Sequence, residues 1–182
     1  MNIALIGSGR MGRMLESLCE KDEGLHVAGF VGRTGYASLA DMEQVDAALD
    51  FSYPGNLESL LACAVAKKIP LVIGTTGLSK EQGEAIRKAS REIPIVWADN
   101  FSTGVTVLCR LARMAAQSLG DDFDIEIVET HHRQKEDAPS GTAKQLLAYM
   151  DPKHEHEIVY GREGHPGKRG REIGVHAVRG GT

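Results

Sequence analysis

From residue 129 to residue 143 the chain reads Glu-Thr-His-His-Arg-Gln-Lys-Glu-Asp-Ala-Pro-Ser-Gly-Thr-Ala. His131, His132, Arg133 and Lys135 crowd cationic or protonatable groups together, and Ser140, Gly141 and Thr142 follow where a helix is expected to begin. The cations can compensate a dianionic small molecule. Backbone N–H groups at a helix N-terminus can cradle a carboxylate by the physics that holds a phosphate. A histidine titrates near neutrality and can move protons. A lysine crowded by other cations can have a lowered pKa and act as a general acid. The plainer alternative is a solvated basic loop ahead of a capped helix. A metal site at His131 and His132 is disfavoured, because neighbouring residues of a strand point to opposite faces and no cysteine or second histidine pair stands nearby; no metal is expected.

A second constellation lies at the other end of the chain. Gly7-Ser8-Gly9-Arg10-Met11-Gly12 is a GxGxxG that leaves an apolar strand and opens a helix. The first glycine allows the tight turn, the second lets a pyrophosphate approach the backbone, and the third lets helix pack on strand. The next strand runs Phe30-Val31-Gly32-Arg33-Thr34 and carries no acid at its end for the adenine ribose. Arg33 suits a 2′-phosphate, so NADPH should bind well; NADH stays open, since an arginine also stacks on adenine. Gly74-Thr75-Thr76-Gly77 and Ala98-Asp99-Asn100-Phe101-Ser102 follow two further apolar runs, at strand ends where a nicotinamide would lie. A plain capping turn is the alternative for the Gly74 loop, and a solvated surface arginine for Arg33.

The elements that must carry these groups alternate. Strands are predicted over residues 3–6, 25–31, 45–51, 70–73 and 94–97, with helices over 10–21, 56–67 and 79–91. The apolar face of the first helix would be Met11, Met14, Leu15, Leu18 and Cys19. This alternation implies an α/β, Rossmann-type doubly wound parallel sheet. The texture changes after about residue 102: a helix over 103–119 burying Val105, Leu108, Leu111, Ala112 and Ala115, a strand over 123–129, a polar loop from 131 to 139, a helix over 140–150, then strand-like pieces at 157–160 and 172–178. Two domains are expected, 1–102 for the dinucleotide and 103–182 for substrate and oligomerisation, the second α+β. Residues 179–182 read as a hairpin turn with no strand after it. A lone strand leaves its backbone groups unpaired, so the second domain is expected to be C-terminally incomplete.

Composition narrows the classes. At 182 residues with 42% hydrophobic and 25% charged side chains, the chain can bury a real core. The net charge of −4 argues against coating nucleic acid. No apolar run approaches the ~18 residues of a membrane span. The N-terminus enters a strand at once, without a basic segment and a long apolar stretch, so a cytoplasmic protein is expected. Cys19, Cys63 and Cys109 are odd in number, have no CxxC spacing and sit in helical runs, which predicts buried free thiols.

Residues 129–143 resemble the signature of the dihydrodipicolinate reductases, and so do residues 7–13, Asp50-Phe51-Ser52, residues 74–77 and residues 99–104, in that family's order and spacing. The resemblance implies NADPH- or NADH-dependent reduction of 4-hydroxy-tetrahydrodipicolinate to tetrahydrodipicolinate with loss of water, on the way to diaminopimelate and lysine, with the substrate between the domains. By position, it makes His131 a proton donor or acceptor and Lys135 the group that protonates the ring nitrogen. It implies substrate-carboxylate contacts from His132, Lys135, Ser140, Gly141 and Thr142. It implies cofactor contacts from Gly7, Ser8, Gly9, Arg10, Met11, Gly12, Arg33, Gly74, Thr75, Thr76, Ala98, Asp99, Asn100 and Phe101. It also implies a homotetramer formed through the second domain's sheet, and a family chain several tens of residues longer at the C-terminus. The first glycine loop is one residue shorter than in many members. Another Rossmann reductase, such as an amino-acid dehydrogenase, would share the glycine loop but not His-His-Arg-x-Lys before Pro-Ser-Gly-Thr. A non-catalytic NAD(P)-binding module or a truncated, inactive paralogue is the rival from another class.

Overall fold

Strand–helix alternation over the first hundred residues does build one parallel sheet. The computed structural model describes residues 1–33 and 35–182, so the Thr34 position of the second strand's end lies outside the described residues. Two compact units divide between Asp99 and Asn100. In the first, strands β1 (Asn2–Ile6), β2 (His26–Val31), β3 (Ala47–Asp50), β4 (Leu71–Ile73) and β5 (Ile95–Trp97) lie in the order β2-β1-β3-β4-β5, every pair parallel. Helices α1 (Arg10–Cys19), α2 (Leu57–Lys67) and α3 (Lys80–Ala89) make the crossovers.

Side-chain alternation along β1 explains why both faces need helices. Ala4 and Ile6 face a core with Leu57, Leu60, Leu61 and Ile86 from α2 and α3, while Ile3 and Leu5 face the other side with Phe30 and the half-buried Leu15. The face assigned to α1 is corrected. Gly12 and Cys19 are buried beside Leu15, whereas Met11, Met14 and Leu18 are exposed. The small Gly12 sets the line of contact with the sheet, and the row of larger side chains falls one step around the helix.

Strand order reverses between β1 and β3, and the register there sets the ends level. Ile6 pairs with Asp50, and Asp50 with Ile73. The loops that begin at Gly7, Phe51 and Gly74 therefore leave the sheet at one height, on the carboxyl side of the switch point, where open α/β sheets bind ligands. The loop after β2 is pinned from below: the Lys67 ammonium donates to the carbonyls of Ala40 at 2.6 Å and Met42 at 2.9 Å.

The second unit holds helices α4 (Thr103–Leu119) and α5 (Gly141–Met150) and strands β6 (Ile125–His131), β7 (Glu157–Val159) and β8 (Glu172–Arg179), in the order β6-β8-β7, again all parallel. Ile127, Ala143, Ile173 and Val175 are its buried centre. α4 lies against α5 and buries Cys109, with Val105 and Ala112 half-buried. Leu108, Leu111 and Ala115, expected to be buried, are exposed, because the contact row runs through Cys109 rather than through the larger side chains.

The tail also differs from the hairpin turn read from its glycines. β6 runs two residues further than predicted, to His131, and so provides partners for β8 from Ile173 to Arg179 and beyond it. Gly180 N–H donates to His131 O at 3.1 Å, and Arg133 N–H to Gly181 O at 3.2 Å. β8 is thus the central strand, not an unpaired one. Of the three thiols, Cys19 and Cys109 are buried and Cys63 is half-buried, and none is bonded to another.

Candidate active site

The first half of the site grows from the glycine loop. Gly7 has φ +97°, and a Cβ there would stand 2.7 Å from Phe51 O; one on Gly12 would stand 2.0 Å from Gly7 O. Both glycines are therefore demanded by the packing of strand, turn and helix. Gly9 differs, since a Cβ on it would meet no atom within 4 Å. It is also the N-cap of α1 and offers no side chain to the helix's first N–H groups, unlike Ser79, Ser102 and Ser140, which cap α3, α4 and α5. Unpaired N–H groups and positive dipole thus face open space above Gly9, with Ser8, Arg10 and Met11 around it, and the residues present fit a pyrophosphate. A cavity of about 240 Å³ opens between the ends of β1 and β2, lined by Ile6, Val31, Gly32, Ser38, Asn56 and Leu60 among others. Arg33 stands exposed at the end of β2, and among the described residues it has no ion-pair partner.

Beneath this loop a buried carboxylate ties two strands together. Asp50, 1% exposed, accepts from Ser52 Oγ at 2.5 Å and from Thr75 Oγ1 at 2.9 Å, while Thr75 Oγ1 accepts from Ser52 N–H at 2.9 Å. Burial pushes the Asp50 carboxyl above its ordinary value, and the two hydroxyls pull it back. The Thr75 hydroxyl is therefore spent within the protein, and what Thr75 offers a ligand is its backbone. Gly74 has a packing reason of its own, as a Cβ there would run into the Phe51 ring at 2.2 Å. Thr76 is exposed beside it. Ala98 and Asp99 close this unit after β5.

The second half lies in the other unit, where β6, β8 and α5 converge. Glu129, 10% exposed at its side chain, accepts both terminal nitrogens of Arg179, at 2.8 and 2.9 Å, and Ser140 N–H at 2.9 Å. Its fourth partner is the His131 ring through Nδ1. The Arg179 guanidinium holds the Glu129 carboxyl well below the usual range, at about 2. Arg179 also donates to Asp137 O at 2.7 Å, which draws in the loop between β6 and α5.

Ser140 is 2% exposed, and its Oγ accepts from Ala143 N–H at 3.2 Å, so its work is to cap α5. The open N–H groups are those of Gly141 and Thr142, and a Cβ on Gly141 would meet nothing within 4 Å. Thr142 Oγ1 accepts from Asn100 Nδ2 at 3.2 Å, which joins a residue expected at the cofactor to one expected at the substrate. Phe101 is exposed just beyond.

The crowd of cations read from the sequence is dispersed. Lys135 Nζ lies 2.7 Å from Asp137 Oδ1, Arg133 Nε donates to Gly181 O at 3.0 Å, and His131 has Glu129. The nearest charge to Lys135 is a carboxylate, because the turn after His132 brings Asp137 back over it. His132 follows the end of β6 and is exposed. Sequence reasoning assigned no role to Asp50, Glu129 or Arg179. For Glu129 a signal existed, since it continues the inward row Ile125, Ile127, 129 of an alternating strand.

These two half-sites can be set beside known proteins. Residues 1–101 match the family described as dihydrodipicolinate reductase, N-terminus, and residues 104–182 the family described as dihydrodipicolinate reductase, C-terminus. The chain belongs to the dihydrodipicolinate reductase family. Relatives named 4-hydroxy-tetrahydrodipicolinate reductase include one from Alkaliphilus oremlandii, 41% identical, in a match that takes in 100% of this chain and 76% of that protein. Another, from Akkermansia muciniphila, is 44% identical over 96% of this chain and 72% of its own length. Among solved structures, the dipicolinate-bound dihydrodipicolinate reductase from Paenisporosarcina sp. TG-14 has the same fold, with a TM-score of 0.70 and 22% identity over 99% of this chain and 78% of that one. The family is one of NAD(P)H-dependent oxidoreductases, which use a nicotinamide cofactor and have an N-terminal Rossmann-type domain. No helix among the described residues is long and apolar enough to cross a membrane.

Proposed function

We propose that this chain reduces 4-hydroxy-tetrahydrodipicolinate to tetrahydrodipicolinate with loss of water, in the lysine and diaminopimelate route. The observation that carries the reading is the pairing of two anion-receptive helix N-termini, α1 above the open Gly9 and α5 above the open Gly141, each in one of the two family regions. The relatives' name supplies the reaction, and the dipicolinate held by the Paenisporosarcina enzyme supports a cyclic dicarboxylate.

Bound NAD(P)H supplies a hydride. In this chain Gly7, Ser8, Gly9, Arg10, Met11 and Gly12 hold the pyrophosphate by backbone and helix dipole. Gly74, Thr75 and Thr76 with Ala98, Asp99, Asn100 and Phe101 bound the nicotinamide end. Substrate carboxylates meet His132, Lys135 and the N-terminus at Ser140, Gly141 and Thr142. Hydride arrives at ring C4 after the hydroxyl has left, and Lys135 or His131 supplies a proton. The outer face of β6 and β8 bears Val128, 69% exposed, and Val178, 49% exposed, which suits a homotetramer covering that face.

Both nicotinamides are accepted in this reading, with NADPH favoured by Arg33. Arg33→Ala should weaken NADPH binding about tenfold or more, the worth of a charge-assisted hydrogen bond to a phosphate, and leave NADH binding nearly as it was. Titration of protein fluorescence with each cofactor measures this, and equal losses for both would mean that Arg33 meets the adenine instead.

The deciding assay is NAD(P)H oxidation by this chain, with substrate made in situ from pyruvate and aspartate semialdehyde by the preceding synthase. Oxidation that depends on the synthase is the expected result. Cofactor binding without turnover would overturn the enzymatic reading and favour a binding module.

A further inference from the structure

The four contacts of Glu129 leave no choice about one proton. A carboxylate at about 2 is ionised at neutral pH and only accepts hydrogen bonds. Oε1 takes Arg179 Nη2 and Ser140 N–H; Oε2 takes Arg179 Nη1 and His131 Nδ1. Nδ1 must then carry its hydrogen, whatever the charge on the ring. Nε2 has no hydrogen-bond partner among the described residues, and the His131 side chain is 35% exposed. We infer that Glu129 is a positioning residue that locks His131 with Nδ1 protonated, so that every proton His131 takes or gives passes through Nε2. Arg179 belongs to the same device: its fork fixes the plane of the carboxylate, and through Ser140 N–H that carboxylate also sets the first turn of α5, which presents Gly141 and Thr142. One carboxylate thus aligns the proton-handling ring with the carboxylate-binding helix end. The inference deepens the reductase reading and rests on it for its catalytic meaning, though the state of the ring can be measured without turnover.

Free imidazole favours the tautomer with hydrogen on Nε2, so the folded protein should reverse an intrinsic preference. Ring nitrogen shifts of neutral His131, assigned by their loss in His131→Gln, should report the Nδ1–H form in the wild type. In Glu129→Gln the amide oxygen best serves Ser140 N–H and Arg179 Nη2, because the opposite orientation sets the amide NH₂ against both donors. The NH₂ then faces His131, Nδ1 becomes an acceptor, and the Nε2–H form should dominate. The kcat should fall about 10²-fold, with the Kd for NADPH unchanged. Arg179→Lys keeps the carboxylate and should keep the Nδ1–H form, which preserves the test if Glu129→Gln does not fold. An Nε2–H ring in the wild type, or an unaltered tautomer in folded Glu129→Gln, would overturn the inference. If the wild type shows the Nδ1–H ring and still turns nothing over, the reductase reading fails while the positioning of His131 stands.

Discussion

Lys135→Ala should lower kcat by about 10²–10⁴-fold, the usual worth of a positioned general acid, and leave the Kd for NADPH unchanged. The ammonium that this removes is held 2.7 Å from Asp137, at a side chain 22% exposed. In the resting protein it is therefore a charged donor kept in place by a carboxylate, on a loop that Arg179 also restrains through Asp137 O. Lys135→Arg should not restore the rate. A guanidinium keeps the charge and can bind a carboxylate, but it does not release a proton in this pH range. A rise confined to KM in both variants would make Lys135 a binding residue only, and would leave His131 as the proton donor. The substitution has an internal control. The Lys135 hydrogen bond holds the Asp137 carboxyl below its ordinary value, so Asp137 should titrate at higher pH in Lys135→Ala, which NMR can follow whether or not the enzyme turns over.

What could be read in advance, and what could not, divides along the range of the interactions. The Rossmann half was legible because its demands are local. Gly7 needs a positive φ, Gly12 needs the absence of a Cβ, and each apolar run meets its neighbours in register without further instruction. α4 was legible in its span but not in its buried face. Periodicity marks an apolar stripe, yet the row through Cys109 meets α5 and the row through Leu108 and Leu111 does not. The pairing of the tail was not legible for a related reason. Gly180 and Gly181 look like a turn when considered alone, and only the pairing of His131 with Arg179, 48 residues apart, shows that they continue beside β6. The charged loop was legible as a collection of side chains, whereas their partners were not. Lys135 has Asp137 two residues on, but His131 depends on Glu129, which in turn depends on Arg179 of the neighbouring strand, distant only in sequence. A charge on the inward row of a strand is the one sequence signal that such a hub leaves.

That hub also makes the second unit sensitive to acid. The Glu129 carboxyl is lowered from 4.5 to about 2, chiefly by Arg179, and the pair is well covered, at 10% and 19% exposure. A folded-state value below the unfolded one means stability that is fully present above about 4.5 and is lost as pH falls toward 2. The size is about 2–3 kcal/mol after allowance for partial solvent screening. Removing the charge at neutral pH should cost about as much, because Arg179 loses its counter-ion in either case; Glu129→Gln is expected to lose about 2–3 kcal/mol at pH 7. The two curves should converge on acidification, since protonation of Glu129 in the wild type makes the same neutral group that the variant already has. Glu126, lowered to about 2 by Arg162, adds an acid-sensitive term of its own, but it is common to both proteins and cancels in the difference. Denaturant unfolding between pH 7 and pH 2 measures the gap directly. A gap that stays constant over that range would mean that the carboxylate contributes shape and hydrogen bonds rather than charge, and would remove the ionised acceptor on which the fixed His131 tautomer depends.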